Sequence, residues 1–155
     1  FDERVRRRER NILVNAGNMH TLAFRLGPAG VEGLFEHHTG FLGTGSLDAL
    51  LTGLADGSLR NEQVFDAHGH GALMYTGQPL KLETDFGVAV TGPRRSLMAG
   101  SALNPYFPAP FGDMMLAGCF GLLAAVGQRI PELGEGIRRS LMNLPALTAP
   151  WDLPD

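Results

Sequence analysis

The chain has 155 residues, 44% of them hydrophobic and 19% charged, with a net charge of −3. That length and mixture suit one ordinary globular domain with a full core, and the acidic balance argues against a nucleic-acid binder, which normally shows a basic face. A single cysteine excludes an internal disulfide framework and any all-cysteine metal site. No run approaches the roughly 18 apolar residues of a membrane span. No apolar segment follows a basic start, so no secretory leader is expected and the cytoplasm is the default location.

Residues 1–10, FDERVRRRER, read as a charged lead-in, either solvated or a short helix, with a phosphate-binding arm as the rival reading. The stretch 11–26, NILVNAGNMHTLAFRL, begins as a strand and breaks into Asn15-Ala16-Gly17-Asn18-Met19-His20-Thr21. It then resumes as an apolar strand to Leu26. A hairpin needs only two turn residues, so the extra Asn, His and Thr suggest a loop with a task. Gly27-Pro28-Ala29-Gly30 is a second turn, and Val31–Glu36 a third strand. Together these make an antiparallel meander.

Ser46 reads as the N-cap of a helix carrying Leu47, Leu50, Leu51 and Leu54 on one face, ended by Gly57. Asn61–Phe65 is a short helical turn. Residues 66–86 read as loop with room for one short strand. Phe86–Val90 is a buried strand, and Thr91-Gly92-Pro93 leads to a helix start, where proline's missing N–H is harmless. Tyr106–Ala109 is a short strand. Asp113–Val126, almost wholly apolar or small, reads as a buried helix, with Cys119, Met114 and Met115 in the core. Pro131–Leu141 is an amphipathic helix. The domain is thus expected over 11–143, followed by a Pro-rich tail over 144–155.

Three strands, then helix, strand, helix, strand, helix give an α/β chain with a five-stranded mixed sheet. The second strand is expected antiparallel to the rest, with helices on both faces. That order resembles the ribonuclease-H-like half-domain of actin-like ATPases and sugar kinases. Asn15 to Thr21 resembles the second phosphate loop of that fold, which runs Asp, any residue, Gly, Asp, any two, Thr. Val88–Pro93 resembles its adenosine-facing turn, and Gly112–Cys119 the small-residue helix between its halves.

The resemblance implies a phosphorylated small-molecule ligand, ATP with magnesium, and an ATP-dependent phosphotransferase or ATPase. It implies Asn15, Gly17, Asn18, His20, Thr21, Thr91 and Gly92 as ligand-binding residues, and the residues themselves add Thr39 at the end of the third strand and Arg94 and Arg95 at a helix start, where N–H groups and guanidinium forks favour an anion. It also implies a second half, either an upstream half-domain or a partner subunit. Asn15 and Asn18 depart from the family, which has Asp there; an amide organises magnesium and its waters poorly.

The segments GNMHTLAF, FEHHTG, GHGA and VTGPRRSL together resemble a family of archaeal and bacterial proteins labelled pyruvate formate-lyase activating enzymes. Such enzymes hold an iron–sulfur cluster on cysteines spaced Cys-x3-Cys-x2-Cys. One thiol cannot hold that cluster, so radical iron–sulfur chemistry is not expected of this segment.

All five histidines fall between residues 20 and 70. Three readings stay open. They staple loop backbones; they line a phosphate pocket with Thr21, Thr39, Arg94 and Arg95; or they bind a divalent metal with Glu36. His20 and the end of the third strand can meet across strands about 4.8 Å apart. For chemistry, Glu36 and His37 are the candidate catalytic pair, and His38, His68 and His70 the candidate metal ligands. Asp113 is a further carboxylate, or simply a helix cap. A metal-dependent hydrolase and a non-catalytic assembly module with helix 112–127 as its interface are the rival functions.

Overall fold

The computed structural model describes residues 1–83, 85–110 and 114–142. The chain divides into two compact units, Phe1–Pro108 and Ala109–Asp155.

The first unit is built on a six-stranded mixed sheet in the order β4-β3-β2-β1-β5-β6. Its strands are β1 (Asn11–Ala16), β2 (His20–Gly27), β3 (Gly30–His38), β4 (Gly69–Met74), β5 (Val88–Thr91) and β6 (Pro105–Tyr106). The pairs β1–β2, β2–β3 and β3–β4 are antiparallel, whereas β1–β5 and β5–β6 are parallel. The meander forms as the alternation predicts. The expected count of five strands is short by one, and β2 is not alone in running against the others, because β4 does so too. β4 was hidden by Gly69 and Gly71, which interrupt the alternation that marks a strand.

One face of the meander carries Thr21, Ala23, Arg25, Phe35 and His37, all buried. Helix α2 (Thr44–Asp56) supplies Leu47, Leu51 and Leu54 to the same core as Ala23, Phe35, Ile12 and Val14. The helix begins two residues earlier than Ser46. Gly43 is its N-cap, and the Ser46 hydroxyl, in the first turn, accepts from the Gly43 N–H at 3.0 Å. Gly57 ends it in the left-handed conformation, φ 81°. A Cβ there would also lie 2.8 Å from the Gly77 backbone, so glycine is required twice over. Helix α3 (Asn61–Phe65) buries Val64.

Arg25 holds this packing together. It has no exposed surface. Its guanidinium donates to the carbonyls of Leu54 (3.3 Å), Ala55 (2.8 Å) and Gln78 (2.5 Å) and pairs with Glu32 at 2.9 Å. The last carbonyls of α2, which have no partner inside the helix, are thereby satisfied by a buried cation.

The lead-in is a docked element. Helix α1 (Glu3–Arg6) is capped by Asp2, whose carboxylate accepts from the Val5 N–H at 3.0 Å. Arg8 lies over the Phe86 ring at 3.4 Å and Arg4 over Tyr106 at 4.2 Å, and Arg8 is ion-paired to Glu83 and Asp85. After β5 the expected helix is only a four-residue 3-10 turn, Arg95–Met98. Pro93 precedes that turn, and β6 is confined to Pro105–Tyr106.

Among its described residues, the second unit holds two helices, α4 (Ala117–Arg129) and α5 (Pro131–Met142). They approach closely at Gly127 and Gly134, where a Cβ on Gly134 would fall 2.5 Å from the Gly127 carbonyl oxygen. α4 contains no buried residue, so its expected burial is corrected. Cys119 and Met115 are exposed, while Met114 is buried. An apolar composition records where a helix prefers to be, without fixing it there. Asp113 and the tail from residue 143 lie outside the described residues. No helix among the described residues is long and apolar enough to cross a membrane.

Candidate functional site

The carboxyl ends of β1, β3 and β5 and the amino ends of β2 and β4 meet along one edge of the sheet. The interruption between the first two strands is shorter than the sequence suggests. Only Gly17, Asn18 and Met19 lie between β1 and β2, and His20 and Thr21 are already strand. The Gly17 N–H donates to the His20 carbonyl at 3.0 Å. A Cβ on Gly17 would stand 2.6 Å from that oxygen, so the tight turn excludes any other residue. The Met19 carbonyl accepts from the Thr39 N–H at 2.8 Å, tying the hairpin tip to the end of β3.

The end of β5 locks onto the same tip. Thr91 donates its hydroxyl to the Val14 carbonyl at 3.3 Å. Gly92 has φ 99°, and a Cβ there would lie 2.5 Å from both the Ala16 carbonyl oxygen and Asn15 Oδ1. The Arg94 N–H donates to the Ala16 carbonyl at 2.9 Å. Asn15, Asn18 and Arg94 therefore stand exposed around one rigid turn pair. Arg95 is half-buried in the following 3-10 turn.

Alternation along the strands sorts the remaining candidates. Thr21, Thr39 and His37 are buried on the face that meets α2. The Thr21 and Thr39 hydroxyls bond each other at 3.0 Å. His37 Nδ1 sits 3.0 Å from the His38 carbonyl and must be its donor, since a carbonyl only accepts. His37 is thus a loop staple, and Glu36, its neighbour in the strand, faces the other way. The two residues expected to act as a catalytic pair are not brought together.

The open face carries a different constellation. His20 pairs directly with His38 across β2–β3. The His20–His38, His20–His70 and His38–His70 ring centroids are 4.9, 4.9 and 4.5 Å apart. One nitrogen from each ring lies within 4.8 Å of the other two. Glu36 Oε1 is 3.7 Å from His20 Nδ1. Removal from water, then the imidazoles of His70, His20 and His37, push His38 below the usual histidine range, against a smaller opposing pull from Glu36. His68 stands apart from this group, with its ring 4.9 Å from that of Phe41.

A β-bulge puts His70 there. Glu36 pairs with Gly71, and His37 then pairs with Gly69, skipping His70. Regular pairing would set His70 opposite His37 on the core face. The extra residue turns it to the open face beside His38.

Residues 1–97 match the family described as "Putative pyruvate format-lyase activating enzyme (DUF1786)". The chain belongs to that family. Its matched region contains the whole edge just described, from Asn15 to Arg95. No curated protein and no solved structure matches the chain.

Proposed function

We propose that this chain is a ribonuclease-H-like half of an actin-like ATPase or sugar-kinase-like protein, and that it binds a nucleotide or another phosphorylated small molecule. The observation that carries the reading is the strand order. Setting β4 aside as an added edge strand, the sheet runs β3-β2-β1-β5-β6, with β1, β5 and β6 parallel and β2 reversed. In open α/β sheets, ligands sit outside the carboxyl ends of the parallel strands. Here that edge holds the Gly17–Met19 hairpin and the Gly92–Arg94 turn, locked together by the Ala16 carbonyl. Asn18 and Arg94 are the exposed groups suited to a phosphate, by amide donation and by guanidinium pairing. A second half, upstream or on a partner, would close the cleft. Because amides replace both family carboxylates, the reading favours ligand binding over hydrolysis.

Calorimetric titration with ATP, with and without magnesium, and with inorganic phosphate tests this, on this chain and on the protein in its natural length. Saturable binding that Arg94→Ala weakens at least tenfold supports the reading. Absence of binding by the natural-length protein removes it.

A further inference from the structure

We propose that His20, His38 and His70 form a binding site for a divalent transition metal of the zinc class, with Glu36 beside it and a fourth position open to water or an anion. The inference does not rest on the phosphate reading.

Three strands each contribute one imidazole to a single patch on the open face. Chance alternation does not suffice to place them, because His70 arrives there only through the bulge. The local sequence His68-Gly69-His70-Gly71 is built around that event. A Cβ on Gly69 would lie 2.5 Å from Val64 Cγ1 and 2.8 Å from His37 Cδ2. Gly71 has φ 126°, and a Cβ there would lie within 2.4 Å of Asn61 Oδ1, the atom that accepts from the Ala72 N–H at 3.1 Å. His68 is itself in the left-handed region, φ 68°. A glycine required by close packing before the outward-turned histidine, and one required by its backbone conformation after it, are the pattern of a positioned side chain.

The staple role that explains His37 does not extend to this group. Among the described residues, the rings of His20, His38 and His70 make no hydrogen bond to backbone; they stand against one another and Glu36, with the Phe41 ring edge-on to His38 at 6.2 Å. Each neutral imidazole carries one N–H and one lone pair, and a divalent ion set among the three rings accepts one lone pair from each. The nitrogens, within 4.8 Å of each other, need to close to roughly 3.4 Å for tetrahedral Zn–N bonds of about 2.0–2.1 Å. Small rotamer changes in partly exposed rings supply that. Glu36 beside His20 Nδ1 matches the carboxylate that orients a metal-binding imidazole, leaving Nε2 for the ion. Imidazole donors select zinc and its transition-metal neighbours over magnesium or calcium. Three protein ligands with an open fourth position are the arrangement of a reactive rather than a purely structural zinc site.

The test is zinc titration of untagged, chelator-treated protein by calorimetry, with cobalt(II) as a visible-absorption probe of tetrahedral coordination. One zinc per chain is expected, with affinity falling more than tenfold in His38→Ala and in His70→Gln and holding at the parent value in His68→Ala. His70 is exposed, so its substitution leaves the core intact; thermal melts of each variant check this. No stoichiometric zinc on the parent, or parent-like binding in both His38→Ala and His70→Gln, overturns the proposal. Phosphate and ATP titrations of the metal-free protein separate its failure from that of the phosphate reading.

Discussion

The Thr21 hydroxyl bonds the Thr39 hydroxyl at 3.0 Å, with both residues buried beneath the hairpin tip. Thr21 occupies the position that the actin-like resemblance assigns to a phosphate-binding hydroxyl. Its side chain is instead directed into the core and joins β2 to the end of β3. Thr21→Val would therefore strand the Thr39 hydroxyl in an apolar setting, at a cost of roughly 1–3 kcal/mol. The double variant Thr21→Val/Thr39→Val removes both partners and should lose less than the sum of the single changes. Urea unfolding of the four proteins measures the coupling. Additive losses would show that the two hydroxyls do not depend on each other.

Arg25 is the largest fully buried side chain among the described residues. Arg25→Met keeps most of the stem but removes the donors to Leu54, Ala55 and Gln78 and leaves Glu32 without its buried partner. Breaking such a pair from one side costs roughly 3–5 kcal/mol. Glu32 retains Arg10, whose Nε lies 3.0 Å away, so the lower end of that range is expected. Adding Glu32→Gln should restore part of the loss. A melting temperature for Arg25→Met equal to the parent's would show that the guanidinium is not what secures α2.

The meander, α2, α3 and β5 were legible because each follows a simple rule: alternation in strands, three-to-four spacing in helices, glycine at the ends. What escaped did so for identifiable reasons. Arg25 sits in phase with Thr21, Ala23, Phe35 and His37, so its position marks it as buried, but its charge suggests the opposite. β4 is broken by the two glycines that its bulge requires. The bulge in turn decides where His70 goes: spacing alone groups His68 with His70, while the skipped pairing brings His70 to the His20–His38 pair that the β2–β3 register sets. The parallel addition of β5 and β6 to β1 agrees with the expected order, in which the later strands run with the first.

Tyr106 joins the lead-in to the sheet through its hydroxyl, which donates to the Asp2 carboxylate at 2.8 Å. Burial first, then that bond and the Asp2 charge, raise its pKa above the usual phenol value. A phenol pKa raised on folding contributes stability that is complete below the unfolded value of about 10. That contribution is lost as pH rises from there through the folded value. Tyr106→Phe should lower stability at neutral pH by roughly 0.5–1.5 kcal/mol and lack the parent's alkaline step. Chemical denaturation across the range from neutral to strongly alkaline pH compares them, and an identical alkaline slope in the two proteins would exclude Tyr106 as its source.

Gly71 offers the sharpest test of the bulge as a device. Its φ of 126° is strained for any L side chain, and a Cβ would press on Asn61 Oδ1. Two ways to relieve this exist: Asn61 gives up the Ala72 N–H, or the backbone returns to regular pairing. Gly71→Ala should cost roughly 1–3 kcal/mol by strain alone. The second route also carries His70 away from the open face toward the position opposite His37. Zinc binding should then weaken by more than the stability loss accounts for, while Asn61→Ala, which frees the space, should rescue part of it in the double variant. Titration of both variants, with melts run alongside, separates misdirection of His70 from general loosening. If Gly71→Ala melts as the parent does and binds zinc as the parent does, the glycine is dispensable and the bulge has another cause.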